Sequence, residues 1–435
     1  MRTVATMTWM TAMACVLVAS PTRAGVILHQ FGDGPSDGTG PYASLTSAGA
    51  MLYGTTLNGA SNDAGTVFSV NTNGTGYSIL HAFTGQPGDG DAPIAPVTLA
   101  GPRLYGTTDY GGVNNNGVVF AINTNGTGYT ILYHFTGGAG QAARSAGAVT
   151  AAGSKLYGTT VHGGDYGYGT VFSLNTNGTS FTILHHFARD LSDGGYPREA
   201  LTLIGSKLYG ITLSGGSADY GTAYAIETNG TGFAILHHFT SDGGILPLAG
   251  LFPVGATLYG TTSSGGNNNE GTAYAMNTNG TGYTVLHHFK AGNPNDGSSP
   301  RGTLTLTGGK LCGATAAGGT NNAGTLFAMN TNGSQYVVFH HFSGTPIDGS
   351  SPLAGLIPVA SNLYGTTYSG GSSNYGTAFC VPRPGPMPII SLSGNLAFGP
   401  VPAGGTSQRM LTITNSGEGA LNVSGVVYPT GFSGS

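Results

Sequence analysis

The chain has 435 residues, 78 of them glycine, and only 7% are charged, against about 25% in an average soluble globular protein. So few charges exclude charge-driven disorder, a coiled coil and an ion-pair-laced helical bundle, and glycine does not recur at every third position as in collagen. With 13 Lys+Arg against 17 Asp+Glu there is no basic field for a nucleic-acid backbone or an anionic membrane, which leaves a turn-rich all-β chain.

The first predicted element is an export signal over residues 1–24. Arg2 supplies a short positive start, Met7 to Ala19 form an apolar run too short to span a bilayer, and Thr22-Arg23-Ala24 ends on a small residue, so cleavage after Ala24 is expected. The alternative, lipidation at Cys15, has a poor consensus in Ala12-Met13-Ala14. No later apolar run reaches the ~18 residues of a membrane span, and the expected location is exported: secreted, periplasmic or cell-surface associated. Without Arg2 and Arg23 the mature chain keeps 11 basic residues against 17 acidic ones. Its two cysteines, Cys312 and Cys380, are too few for a disulfide framework; they either pair or remain separate buried thiols.

Internal repetition dominates the rest. The pentapeptide Leu-Tyr-Gly-Thr-Thr begins at Leu52, Leu104, Leu156, Leu208, Leu258, Leu311 and Leu363, with Ile211 and a Cys-Gly-Ala-Thr version at 312–315 as departures. The intervals are 52, 52, 52, 50, 53 and 52 residues. Each copy leads to a glycine pair or near-pair such as Gly163-Gly164, then Gly-Thr-Val-Phe, Asn-Thr-Asn-Gly and Ile-Leu-His-His-Phe or variants of them. A period of about 50 residues with four strand-like segments is the signature of a propeller blade. In the third unit, strand A is expected near 148–152, B over 156–160, C over 170–174 and D over 181–187. Asn177-Gly178 forms the C–D hairpin, because both residues accept the positive φ a tight hairpin needs. Strict alternation in D would put Phe181, Ile183, His185 and Phe187 on one face, and Leu184 and His186 on the other.

The two ends complement each other. Val26 to Phe31 matches strand D with no A, B or C before it, whereas Gly376 to Val381 matches strand C with Pro382, Pro384 and Pro386 where D should follow. Joining them closes a ring and removes an open sheet edge. The expected architecture is all-β: a seven-bladed β-propeller over 25–382 closed by an N-terminal strand, a proline-rich linker over 383–388, and a truncated immunoglobulin-like β-sandwich over 389–435. The tail offers strands near 389–398, 408–414 and 421–427, fewer than the ~7 of a whole sandwich.

Three patterns invite a functional reading. Eleven of the 12 histidines lie in strand D; adjacent pairs face opposite ways and equivalents in neighbouring blades are far apart, so packing is favoured over a metal site. Asp-Gly-x-x-Pro recurs in the D–A connections at Asp37, Asp89, Asp193, Asp296 and Asp348, with Asp242 in a copy one residue longer and Gln141 in the third unit. It reads as a turn, with a second reading as a ring of carboxylates on the face that the D–A and B–C loops share. The third unit departs from the repeat through Arg144, His162, Asp165 and Tyr166, and asymmetric groups are where a repeat would carry a site. Five Asn-x-Thr sequons, at Asn73, Asn125, Asn177, Asn229 and Asn279, are explained by their hairpin turns. No P-loop, dinucleotide fingerprint, Gly-x-Ser-x-Gly elbow or zinc-spaced cysteine set occurs, and no cofactor is expected.

Leu-Tyr-Gly-Thr-Thr-x-x-Gly-Gly-x4-Gly-Thr, Asn-Thr-Asn-Gly-Thr-Gly-Tyr and Leu-His-His-Phe together resemble the GloVer tandem repeats of bacterial choice-of-anchor proteins, over about four-fifths of the chain. The tail motifs Leu396-x-Phe-Gly-x-Val-x-x-Gly-Gly, Leu411-Thr-Ile-Thr-Asn-Ser-Gly and Leu421-Asn-Val resemble the choice-of-anchor D and Hydin-type immunoglobulin-like modules. The resemblance implies an exported, surface-associated protein and brings no catalytic residues. Kelch repeats are similar in length and in their glycine pair, but they use tryptophan, and the sole tryptophan here, Trp9, is in the signal. The expectation is a non-catalytic binding or surface-scaffold propeller whose partner is an extracellular glycan or protein, the alternative being a polysaccharide-active hydrolase or lyase.

Overall fold

In the third unit, Thr150–Ala152, Lys155–Thr160, Thr170–Asn175 and Thr182–His186 pair antiparallel in that order, which are the A, B, C and D strands expected from the sequence. The computed structural model describes residues 25–384, 390–393 and 412–415. Within it the same meander recurs as seven blades, and Ala24–Arg383 form one compact unit with no helix among the described residues. The seventh blade is completed from the other end of the chain: Val26–Gln30 pairs antiparallel with Thr377–Pro382, with Val26 opposite Cys380 and Gln30 opposite Thr377. The ring is therefore closed by its N-terminal strand. The export signal and the proline-rich linker lie outside the described residues apart from Arg383 and Pro384. Of the tail, Ile390–Ser393 and Thr412–Asn415 pair antiparallel, and the remainder of the expected sandwich also lies outside the described residues.

The hydrophobic core is divided into seven clusters, each between two neighbouring blades. Between blades three and four, for example, Val171 and Phe187 meet Leu208, Tyr224 and Ile226. Leu28 of the closing strand and Phe31 just after it join the cluster between blades seven and one. This explains the scarcity of charge, because both faces of every sheet are buried. It also explains one repeated glycine. A Cβ on Gly158 of Leu-Tyr-Gly-Thr-Thr would lie 2.5 Å from the Phe172 ring, and Gly106 meets Phe120 in the same way at 2.4 Å.

Strand D does not alternate strictly. In blade three Val171 pairs with His185 and Phe172 with Ile183, so Leu184 is an extra residue in a β-bulge, and the corresponding shift occurs in all seven D strands. The expected common face is thereby split. Phe181 and Ile183 pack toward blade two, whereas Leu184 and Phe187 pack toward blade four. An outer strand with apolar residues at both parities can contact both neighbours this way.

The A strands of successive blades touch one another, as Thr46–Ala48 does Thr98–Ala100, and are innermost. Thr98 Oγ1 donates to the Val149 carbonyl and Thr150 Oγ1 to the Leu201 carbonyl, both at 2.5 Å, stitching one blade to the next around the axis. The residues leading into the A strands line a central cavity of about 100 Å³.

Candidate functional site

The D–A and B–C connections share one face of the disc, where most form short two-stranded ladders, such as Gly90–Asp91 with Tyr110–Gly111. The recurring Asp-Gly sits at the root of these ladders. Asp89 Oδ1 accepts from Gly90 N at 2.8 Å and Oδ2 from Thr84 N at 3.0 Å, the expected turn. Two further donors come from farther away: Tyr129 OH at 2.6 Å and His81 Nε2 at 3.3 Å. A carboxylate only accepts, so His81 Nε2 carries a proton. The imidazole lies flat on the Tyr129 ring at 3.6 Å. His81 belongs to blade one and Tyr129 leads into strand D of blade two, which makes the group a latch between blades. Burial alone would raise the Asp89 carboxyl, but the hydrogen bonds of His81, Tyr129 and Gly90 and the charge on His81 outweigh it and hold it at about 2.

The latch recurs with blade-specific losses. His29, Asp37 and Tyr77 reproduce it, as do His287, Asp296 and Tyr336. Asp193 keeps His185, which stacks on Phe233 in place of a tyrosine, and Asp348 keeps His340. In the third unit the group is replaced by a Tyr133–Phe181 stack at 3.9 Å. In the longer copy Asp242 is exposed and takes no part. Tyr283 OH donates to the Gly243 carbonyl instead, and His237 Nε2 has no partner. Burial, helped by neighbouring His238, pushes the His237 imidazole down to about 4. In three of the four pairs the second histidine serves the loops rather than the latch, while the Nδ1 of His341 is buried without a partner. His186, His238 and His288 accept through Nδ1 from the backbone N–H of Asp165, Ser217 and Asn267 in the B–C connections. Cys312 and Cys380 are separate buried thiols in different core clusters.

Of the third unit's departures, the structure brings Arg144 and His162 together and leaves Asp165 and Tyr166 apart. Arg144 makes a two-pronged pair with buried Asp109, at 3.1 and 2.9 Å, and its guanidinium lies 4.3 Å from the Tyr110 ring centre. His162 packs edge-on to Tyr196; burial lowers its pKa, Arg144 and Arg198 add to the shift, and Asp109 opposes it. Asp165 is exposed beside His186, and Tyr166 is 61% exposed. Next to this cluster Arg189 pairs with Asp219 at 2.7 Å and borders an open groove of about 530 Å³ with Tyr168 and Leu191. Among the described residues, the large apolar and aromatic side chains left exposed are Val26, Val113, Tyr166, Leu191, Tyr220, Leu246, Ile347, Tyr368 and Tyr375. All but Val26 lie in the D–A and B–C connections.

A profile of the Gloeobacter/Verrucomicrobia repeat matches residues 18–210 and 147–379. The chain belongs to this repeat family. No curated protein sequence matches it. Among solved structures, an oligogalacturonate lyase of Vibrio parahaemolyticus is similar with a TM-score of 0.54 at 11% identity, over 86% of this chain and 97% of that one. An oligogalacturonate lyase in complex with manganese gives 0.52 at 13% identity, over 83% and 96%. At such identities the likeness is one of fold.

Sequence reasoning missed three charged residues at the channel: Arg198, Glu199 and Arg301. Aligning the units on the proline before strand A would have found them. The residue after Pro197 is Arg198 and the next is Glu199, where the other units have Ala or Gly. Attention to recurring aspartates and histidines hid a residue that occurs once.

Proposed function

We propose that residues 25–382 form an exported, non-catalytic binding scaffold whose interaction face is the one carrying the D–A and B–C connections. The observation that carries this reading is that, among the described residues, every exposed aromatic or large aliphatic side chain but Val26 lies in the connections of that face. Clustered apolar exposure marks recognition surfaces, and tyrosine provides area, stacking and a polar tip together. The recurring aspartates other than Asp242 support it from the other side, because their oxygens are occupied by the latches and the variable loop residues are left to meet a partner. The partner class is an extracellular glycan or protein. Anchoring through an immunoglobulin-like tail of choice-of-anchor D type fits the same picture. The test is a glycan and peptide array read for capture and, by product analysis, for turnover. Replacing Tyr166, Tyr220 and Tyr375 together by Ser should leave the melting temperature within a few degrees and weaken capture at least about tenfold, the scale of losing one or two anchor residues. Undiminished capture by the triple variant would contradict the assignment of the face, and turnover of an arrayed glycan would establish the enzymatic alternative.

A further inference from the structure

At the loop-face end of the axis, each D–A connection delivers a short segment into its A strand. The first residue after the proline position forms a ring of Tyr42, Ile94, Ala146, Arg198, Leu248, Arg301 and Leu353. The next ring inward is Ala43, Ala95, Gly147, Glu199, Ala249, Gly302 and Ala354. Six of these seven are Ala or Gly, and at the two glycines the spacing requires it: a Cβ on Gly147 would lie 2.6 Å from the Glu199 backbone, and one on Gly302 2.4 Å from that of Ala354. The Glu199 backbone is also fixed, since its carbonyl accepts from Thr159 Oγ1 at 3.2 Å, as those of Ala95 and Gly147 do from Thr55 and Thr107. A carboxyl group therefore stands once in a ring otherwise built of the smallest residues.

The ionisable side chains lining this cavity are Tyr42, Arg198, Glu199 and Arg301. Arg301 Nε is buried without a hydrogen-bond partner. An unpartnered buried donor is costly unless something supplies an acceptor. The cavity of about 100 Å³ has room for a few waters at ~30 Å³ each, or for a carboxylate head with one or two carbons. Guanidinium groups match the planar, two-oxygen geometry of a carboxylate.

We propose that the loop-face end of the channel is a binding site for a small carboxylate anion, or the carboxylate end of a longer molecule, held by Arg198 and Arg301 with the Glu199 carboxyl group beside it. Burial pushes the Glu199 carboxyl up to about 8, with Arg198 pulling the other way. Its neutral form therefore prevails at neutral pH and is lost above pH 8, when a second negative charge would oppose the anion. The site lies at the axis, away from the exposed loop tyrosines, and stands or falls independently of them.

The test is titration of the full chain with 13C-labelled acetate, against chloride at equal ionic strength, followed by NMR at pH 6.5 and 9.5. Acetate should bind saturably at one site per chain and at least about tenfold more weakly at the higher pH, as a single ionisation near 8 dictates. Arg301→Gln should weaken binding about tenfold or more at pH 6.5. Glu199→Gln should retain the affinity seen at pH 6.5 and carry it unchanged to pH 9.5, because an amide donates at both. No saturable binding by the unaltered chain, equal binding by Arg301→Gln, or a pH dependence that survives in Glu199→Gln would each overturn the proposal.

Discussion

Asp89 gathers donors from its own turn, from His81 and from Tyr129 of the next blade. Hydrogen bonds to a charged acceptor contribute about 1.5–3 kcal/mol, so Asp89→Asn should lower stability at pH 7 by about 1–3 kcal/mol, measured by denaturant unfolding. The sign of the pH dependence follows from the depressed carboxyl. Its contribution is fully present above the ordinary carboxylate range near 4 and is lost as pH falls through about 2. The gap between wild type and Asp89→Asn should accordingly narrow between pH 4 and pH 2; a constant gap would show that the charge on the carboxylate is not what the latch uses. The Asp-Gly turn was legible in the sequence because it is local. Its longer-range partner was not, since the tyrosine lies 40 residues on and approaches only once two blades are packed. Glu199 was overlooked for a different physical reason: its meaning comes from the six small residues around it in the ring, and a linear reading of one unit does not display them.

Strand boundaries and their order followed from glycine-bounded apolar segments and the Asn-Gly hairpins. The outer strand was the exception. Period two assigns every side chain to a face only if each residue has a partner, and the bulge at Leu184 leaves one without. The other element of consequence is the closing strand Val26–Gln30, whose role was legible because each end of the repeat array lacks what the other has. Removing residues 26–31 deletes the strand and takes Leu28 and Phe31 out of the core between blades seven and one. It also exposes the edge of Thr377–Pro382. At roughly 1.5–3 kcal/mol for each large apolar side chain returned to water, the shortened chain should melt at least several degrees lower and associate in solution. An unchanged melting temperature by calorimetry would mean that the ring does not depend on this strand.

Across the whole molecule, repetition and departure from it have separate roles. The repeated groups build the ring: the strand-B glycines admit the aromatic rings of strand C, the threonines tie the A strands, and the Asp–His–Tyr latches join the rim. The departures, from the Arg144–Asp109 pair to the exposed tyrosines and the charged groups at the channel, lie on the D–A and B–C face or at its axial end. The opposite face presents the Asn-Thr-Asn-Gly hairpins, whose polar side chains fold back on their own turns, as Asn177 Oδ1 does to Thr179 N at 3.1 Å. The most direct test of this division is hydroxyl-radical footprinting of the propeller bound to whichever array ligand it captures. Protection is expected over the loops carrying Val113, Tyr166, Tyr220 and Tyr375, with the C–D hairpins at 71–77, 123–129 and 175–181 labelled as in the free protein. Protection of those hairpins with the loop tyrosines left reactive would contradict the division of the two faces.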